Sequence, residues 1–151
     1  MTPINVKPIV PADLPQLAEV VDAAGLFPGE LLAGMVADKE AALWLAASVE
    51  GRAVGLCFTE PEDFAPGVWN MRALGVDPAL HRQGVGAALV TTTEGMLRKK
   101  ATRLVIVETS DAAEFEGARR FYQSQHYQCA ARIPNFWAPG EAKVICTKSF
   151  I

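Results

Sequence analysis

The sequence predicts an α+β fold: a mixed sheet of about six to seven strands flanked by about four helices. Three observations carry this. Apolar runs of strand character and amphipathic runs of helical character interleave along the 151 residues. One helical run separates two apolar strand runs, Val68 to Val76 and Arg103 to Thr109, and such a crossover favours parallel pairing of the strands it joins. Two other apolar runs are separated only by Glu50, Gly51 and Arg52, which reads as an antiparallel hairpin.

In chain order, Ile4 to Ile9 reads as a first strand closed by prolines. Leu14, Leu17, Val20 and Val21 then form the stripe of an amphipathic helix that Gly25 ends. Pro28 opens a short helix that finishes near Asp38. Ala41 to Val49 and Ala53 to Thr59 are the arms of the hairpin, and EPEDFAPG is a loop. The strand from Val68 stops at Asp77 and Pro78. Gly84 to Lys100 is a helix with Val85, Ala88, Leu89, Thr92 and Met96 on one face. Its last turn carries Arg98, Lys99 and Lys100, where the helix dipole favours cations. Ala113 to Gln125 is a further helix, turning Phe115, Ala118, Phe121 and Tyr122 inward. Strands over Tyr127 to Ile133 and Ala142 to Phe150 follow, joined by PNFWAPGE as a loop.

The length suits one domain over 1–151 with a single core. Half the residues are apolar and 21% are charged, a globular balance. A net charge of −3 and a pI near 5.4 argue against a nucleic-acid partner. No apolar run reaches the length that spans a bilayer, and MTPINVKPIV lacks the charged-then-apolar pattern of a secretion signal. The expectation is a cytoplasmic protein with no membrane partner. Cys57, Cys129 and Cys146 are odd in number and form no C-x-x-C, and with two histidines they make no zinc site. They are expected to be buried thiols in a reducing compartment.

The most informative stretch is ALGVDPALHRQGVGAAL, a strand, a short turn with two glycines and a helix start. Gly84 and Gly86 remove side chains where a ligand must approach the backbone. The first helical turn leaves N–H groups unpaired, and the macrodipole adds roughly half a positive charge there. Those donors suit a pyrophosphate, with Arg82 adding a charge-assisted contact. A Walker A loop would need Gly-Lys-Ser/Thr where Gly86-Ala87-Ala88 stands. A dinucleotide-binding fingerprint would need a third glycine where Leu89 stands, which counts against a nucleotide-dependent oxidoreductase.

Here the chain resembles the GNAT superfamily of N-acetyltransferases, whose acetyl-CoA motif runs Gln/Arg-x-x-Gly-x-Gly/Ala after a strand. The matching residues are Leu74-Gly75-Val76, then Asp77-Pro78, then His81-Arg82-Gln83-Gly84-Val85-Gly86, with His81 in the Gln/Arg place. A second signature, Ala-x-x-x-Tyr, is met by Ala118 to Tyr122, and His126-Tyr127 stands where Gly-Phe is usual. The resemblance covers about Val68 to Tyr127. It implies acetyl-CoA as co-substrate, no metal, and cofactor contacts at Leu74, Gly75, Val76, His81, Arg82, Gln83, Gly84, Val85, Gly86, Ala87, Arg119 and Tyr122. It also implies that the two parallel strands splay to admit the pantetheine arm.

Acetyl transfer to an amine needs a base for the amine, donors for the carbonyl oxygen and an acid for the leaving thiolate. Tyr122 is the candidate acid, although a core aromatic is its plainer reading. The base is harder to place, because Asn70 stands where relatives often carry a glutamate, and an amide takes no proton. Glu108 is the nearest alternative, and Glu60, Glu62 and Asp63 could act through water. Phe27, Glu30, Asn70 and Trp137 lie in segments that shape the acceptor pocket in this fold, and the acceptor implied is a small-molecule or peptide amine. Phe136-Trp137 equally suits a core or a homodimer contact. The other reading is an acyl-CoA-binding module without efficient catalysis, which Asn70 and Phe115 favour.

Overall fold

The computed structural model describes residues 2–151. Its strands are β1 (Asn5–Pro8), β2 (Leu43–Val49), β3 (Arg52–Pro61), β4 (Val68–Val76), β5 (Leu104–Ser110), β6 (Gln128–Ala138) and β7 (Glu141–Ser149). The helices are α1 (Leu14–Ala24), α2 (Leu32–Asp38), α3 (Val85–Arg98) and α4 (Glu116–Ser124). The strands form one sheet of seven in the order β1-β2-β3-β4-β5-β7-β6. β1–β2, β2–β3, β5–β7 and β6–β7 pair antiparallel, and β4 and β5 run parallel as the intervening α3 requires. This is the expected mixed α+β architecture.

The described residues divide into two compact units. The first takes the chain up to Glu60 together with Arg72–Leu97. In it β2 and β3 form the expected hairpin, closed by Glu50 and Gly51 at φ 51° and 78°. Two successive positive φ values are what a tight hairpin turn demands. Trp44 and Phe58 are register partners across this hairpin, and their rings stack 4.0 Å apart. They join Leu17, Val21, Leu32 and Leu56 in the core between the hairpin and α1–α2. Gly29, in the 3-10 turn leading into α2, packs against α1 so closely that any Cβ would collide with the backbone oxygen of Ala18. Its N–H donates to Asp22 Oδ1 at 2.7 Å.

Within α3 the buried face is Val85, Leu89, Val90, Thr93, Glu94 and Leu97. The expected face of Val85, Ala88, Leu89, Thr92 and Met96 is turned by about one position, since Ala88, Thr92 and Met96 are half-buried. A small residue such as Ala88 carries little apolar area and so does not fix the stripe.

The second unit takes Pro61–Met71 and Arg98–Ile151. Here the parallel ladder runs from Val68↔Leu104 through Trp69↔Val105 to Asn70↔Ile106, the first three residues of each strand. Two expectations change. PNFWAPGE was expected to be a loop, but β6 extends to Ala138 and leaves only a tight turn at Gly140, φ 82°. A register shift between Ile133 and Ala138 lets the extra residues bulge, with Asn135 at φ 58° accepting the Gly140 N–H. Pro134 is tolerated because β6 is the sheet edge, where one side of the strand needs no ladder donor. Phe115 was expected to face inward on a helix. It lies before α4 and is exposed, while Tyr122 is the buried residue of that helix.

The cysteines also differ from expectation. Cys129 and Cys146 are register partners on β6 and β7 and form a disulfide, leaving Cys57 as the buried thiol. Their separation of 17 residues gave no hint of the pairing, which follows from the final hairpin's register. The argument from three thiols to a reducing compartment therefore falls away.

Candidate functional site

In the first unit, β4 ends in Leu74, Gly75 and Val76, and Asp77 turns the chain. The Asp77 N–H donates to Val54 O at 2.8 Å, and its Oδ1 accepts from Ala79 N at 3.0 Å. Arg52 pairs with its other oxygen at 3.5 Å. The turn is thus pinned at its base. Gly75 is buried, and a Cβ on it would meet Leu26 Cδ1 at 2.6 Å. Close packing alone is a sufficient reason for that glycine.

Beyond the pinned base, His81, Arg82, Gln83 and Gly84 are all exposed. Arg82 and Gly84 take φ values of 65° and 88°, so the backbone twice enters the left-handed region just before α3. The first helical bond there is Ala88 N–H to Gly84 O at 3.0 Å. The N–H groups of Val85, Gly86 and Ala87 precede it and have no i−4 carbonyl within α3. An exposed, glycine-bearing turn opening onto helix donors that have no intrahelical partner is a fit for a pyrophosphate.

In the second unit the chemistry centres on Asn70, which is fully buried on β4. Its Nδ2 donates to Glu62 Oε1 at 2.8 Å and to Glu108 Oε2 at 2.9 Å. Both amide hydrogens are thus spent on carboxylates, one from the loop before β4 and one from β5. Exchanging the amide oxygen and nitrogen would set a lone pair against two carboxylate oxygens, so the orientation is determined. The Asn70 Oδ1 is buried and has no hydrogen-bond donor. An orphaned buried acceptor costs about 1–3 kcal/mol.

Glu108 also meets Lys143 Nζ, at 2.6 Å from Oε1. The Lys143 ammonium lies 4.3 Å from the Phe136 ring centroid and 5.9 Å from that of Trp137. The two rings meet edge to face, and Trp137 Nε1 donates to Thr109 O at 3.0 Å. Phe136 and Trp137 are therefore a bracket around a cation, although each keeps nearly half its surface exposed, 47% and 48%.

Tyr122 is buried on α4, edge-on to Phe121 and Tyr127. Arg119 donates through Nη1 to the carbonyls of Ser110 and Ala112, which ties the end of β5 to the approach to α4. Beside it, the Ala142 N–H and then Arg132 hold the Asp111 carboxyl below the ordinary carboxylate range.

The structure thus joins Asn70 to Glu108, and it adds Glu62 by direct contact rather than through water. Glu60 lies in the first unit, paired with Arg72 at 3.0 Å and Lys39 at 3.6 Å. Phe27 packs against the first unit's core, and Glu30 is exposed there. Lys143 is the residue that sequence reasoning missed. Its signal lies in the β5–β7 register, where Glu108 faces Ile145 and Lys143 is the diagonal neighbour two residues away.

The chain matches the acetyltransferase (GNAT) family over residues 17–127. Among solved structures it is similar to a GNAT-family protein from Desulfovibrio desulfuricans, with TM-score 0.88 and 21% identity, covering 97% of this chain and 99% of that one. The ribosomal-protein-S18-alanine N-acetyltransferase from Escherichia coli aligns with TM-score 0.82 and 20% identity, over 97% and 94% of the two chains. The yncA protein from Salmonella typhimurium, solved with its cofactor acetyl-CoA, aligns with TM-score 0.82 and 12% identity, over 98% and 94%. No curated protein sequence matches the chain.

Proposed function

This chain belongs to the acetyltransferase (GNAT) family, and on that premise we propose that it moves an acetyl group from acetyl-CoA to a primary amine of a small molecule or peptide. The observation that carries the reading is the exposed turn at Arg82 and Gly84, running into the first N–H groups of α3, which have no intrahelical partner. In this reading His81 to Ala87 hold the pyrophosphate, with Arg82 as the charged contact. The backbone of Leu74 to Val76 pairs with the pantetheine arm. The presence of acetyl-CoA in the Salmonella structure and the alanine acceptor of the E. coli enzyme are consistent with both halves of the reaction.

The amine nitrogen attacks the thioester carbonyl, the carbon–sulfur bond breaks, the amine gives up its proton and the departing thiolate receives one. Glu108 is assigned to accept the amine proton and Tyr122 to supply the thiolate's. Burial of Tyr122 against two aromatic rings restrains its ring for that task. The second reading, an acyl-CoA-binding module, draws on Asn70, an amide where a base would serve.

Release of free CoA thiol, followed across a panel of primary amines, separates the two. Catalysis requires release that depends on the amine, and Tyr122→Phe should slow it by about 10² to 10⁴ while acetyl-CoA still binds. Binding of acetyl-CoA with no release for any amine would leave the module. Undiminished turnover in Tyr122→Phe would remove Tyr122 from the mechanism.

A further inference from the structure

Helix α4 has nine residues, and a helix that short is marginal in water on its own. Phe115 at its N-cap makes no side-chain cap bond, and Tyr122 is its one buried residue. Arg119 ties the helix down instead. Through Nη1 this half-buried side chain donates to the carbonyls of Ser110, the last residue of β5, and of Ala112 just beyond it. That stretch of chain is itself held from the final hairpin. Trp137 Nε1 donates to Thr109 O at 3.0 Å, Ser110 Oγ donates to Glu141 Oε2 at 2.6 Å, and Asp111 Oδ1 accepts the Ala142 N–H at 2.9 Å. Ser110 Oγ accepts in turn from the Ala112 N–H at 3.0 Å. Arg119 therefore docks α4 on a fixed platform that continues into β5 and Glu108. Tyr122 follows Arg119 by three residues, so the two are neighbours on the surface of one helix.

We propose that Arg119 is a positioning residue, which registers the Tyr122 phenol against Glu108 by clamping α4 to the end of β5. This rests on the acetyltransferase reading and deepens it, and it replaces the cofactor contact that the family resemblance implied for Arg119. The assigned acid and the assigned base stand on different elements, and Arg119 joins those two elements. Loss of its donors frees the start of α4 and lets the phenol drift from the place where the thiolate forms.

The test combines Arg119→Met, which keeps an apolar stem and removes the donors, with Tyr122→Phe in the full chain. Turnover in Arg119→Met should fall by up to about 10²-fold, the cost of a displacement of about 1 Å at a reacting group. Acetyl-CoA affinity, titrated by calorimetry, should stay unchanged. In the Tyr122→Phe background the same substitution should cost nothing further, because residues that act through one group are not additive. A merely structural Arg119 would lower the melting temperature and cost the same in both backgrounds. Unchanged turnover, a loss confined to acetyl-CoA binding, or equal losses in both backgrounds would overturn the proposal. Should Arg119→Met not fold, Arg119→Lys carries the same cycle with a smaller expected loss. The chain has two tyrosines, so ring-labelled tyrosine gives an NMR readout that needs no turnover. The Tyr122 signals, identified by their loss in Tyr122→Phe, should shift in Arg119→Met and return toward their native positions in Arg119→Lys. Unshifted Tyr122 signals would also overturn the proposal. Absence of amine-dependent CoA release from the native chain would instead sink the acetyltransferase reading, while the ring signals still report on the clamp.

Discussion

At φ 88°, Gly84 holds a backbone conformation that an L side chain reaches only with strain. A Cβ there would meet only Ile4 Cδ1, at 3.8 Å, so a substitution is penalised through the backbone and not through a clash. Gly84→Ala is expected to cost roughly 1–2 kcal/mol in urea unfolding and to weaken acetyl-CoA binding. Gly95 makes the contrasting case. It lies within α3 with open space around its Cβ position and no positive φ, so Gly95→Ala should stabilise by about 0.5–1 kcal/mol. Equal effects at the two positions would mean that the turn before α3 is not held in the left-handed region. The residue scale also shows where sequence reading stops. Asn70 was legible as a departure from the family pattern, but its two carboxylate partners come from a loop and from β5. No spacing along the chain brings them together.

Among the elements, the hairpin of β2 and β3, the crossover through α3 and the amphipathic α1 were legible because periodicity and turn chemistry act locally. The C-terminal hairpin was only half legible. Pro134 and Asn135 are loop-forming residue types, yet the bulge accommodates them on an edge strand, and only Gly140 makes the turn. The same hairpin brings Cys129 to Cys146, a pairing that depends on register and not on sequence separation. Thiol titration of the unfolded, unreduced chain should find one reactive group, Cys57, and reduction should raise the count to three. In the native protein Cys57 should stay unreactive, since burial pushes its thiol up and so suppresses the thiolate. Opening the cross-link, with its separation of 17 residues, is expected to lower stability by about 3 kcal/mol. Three reactive thiols before reduction would contradict the Cys129–Cys146 cross-link.

For the whole molecule, the segment from Leu74 to Leu89 and the Ala118–Tyr122 helix were enough to indicate the family, whose match over 17–127 includes both. They did not indicate an acceptor, because acceptor recognition uses side chains brought together by tertiary register. Among the described residues, no helix is long and apolar enough to cross a membrane. The claim on which every assignment depends is that the turn before α3 binds acetyl-CoA. A thermal-unfolding series with acetyl-CoA, NAD and NADP puts that claim at risk directly. Acetyl-CoA at about a hundredfold its dissociation constant should add roughly 2.7 kcal/mol of stability, while NAD and NADP add none. Stabilisation by either dinucleotide, with acetyl-CoA inert, would contradict it.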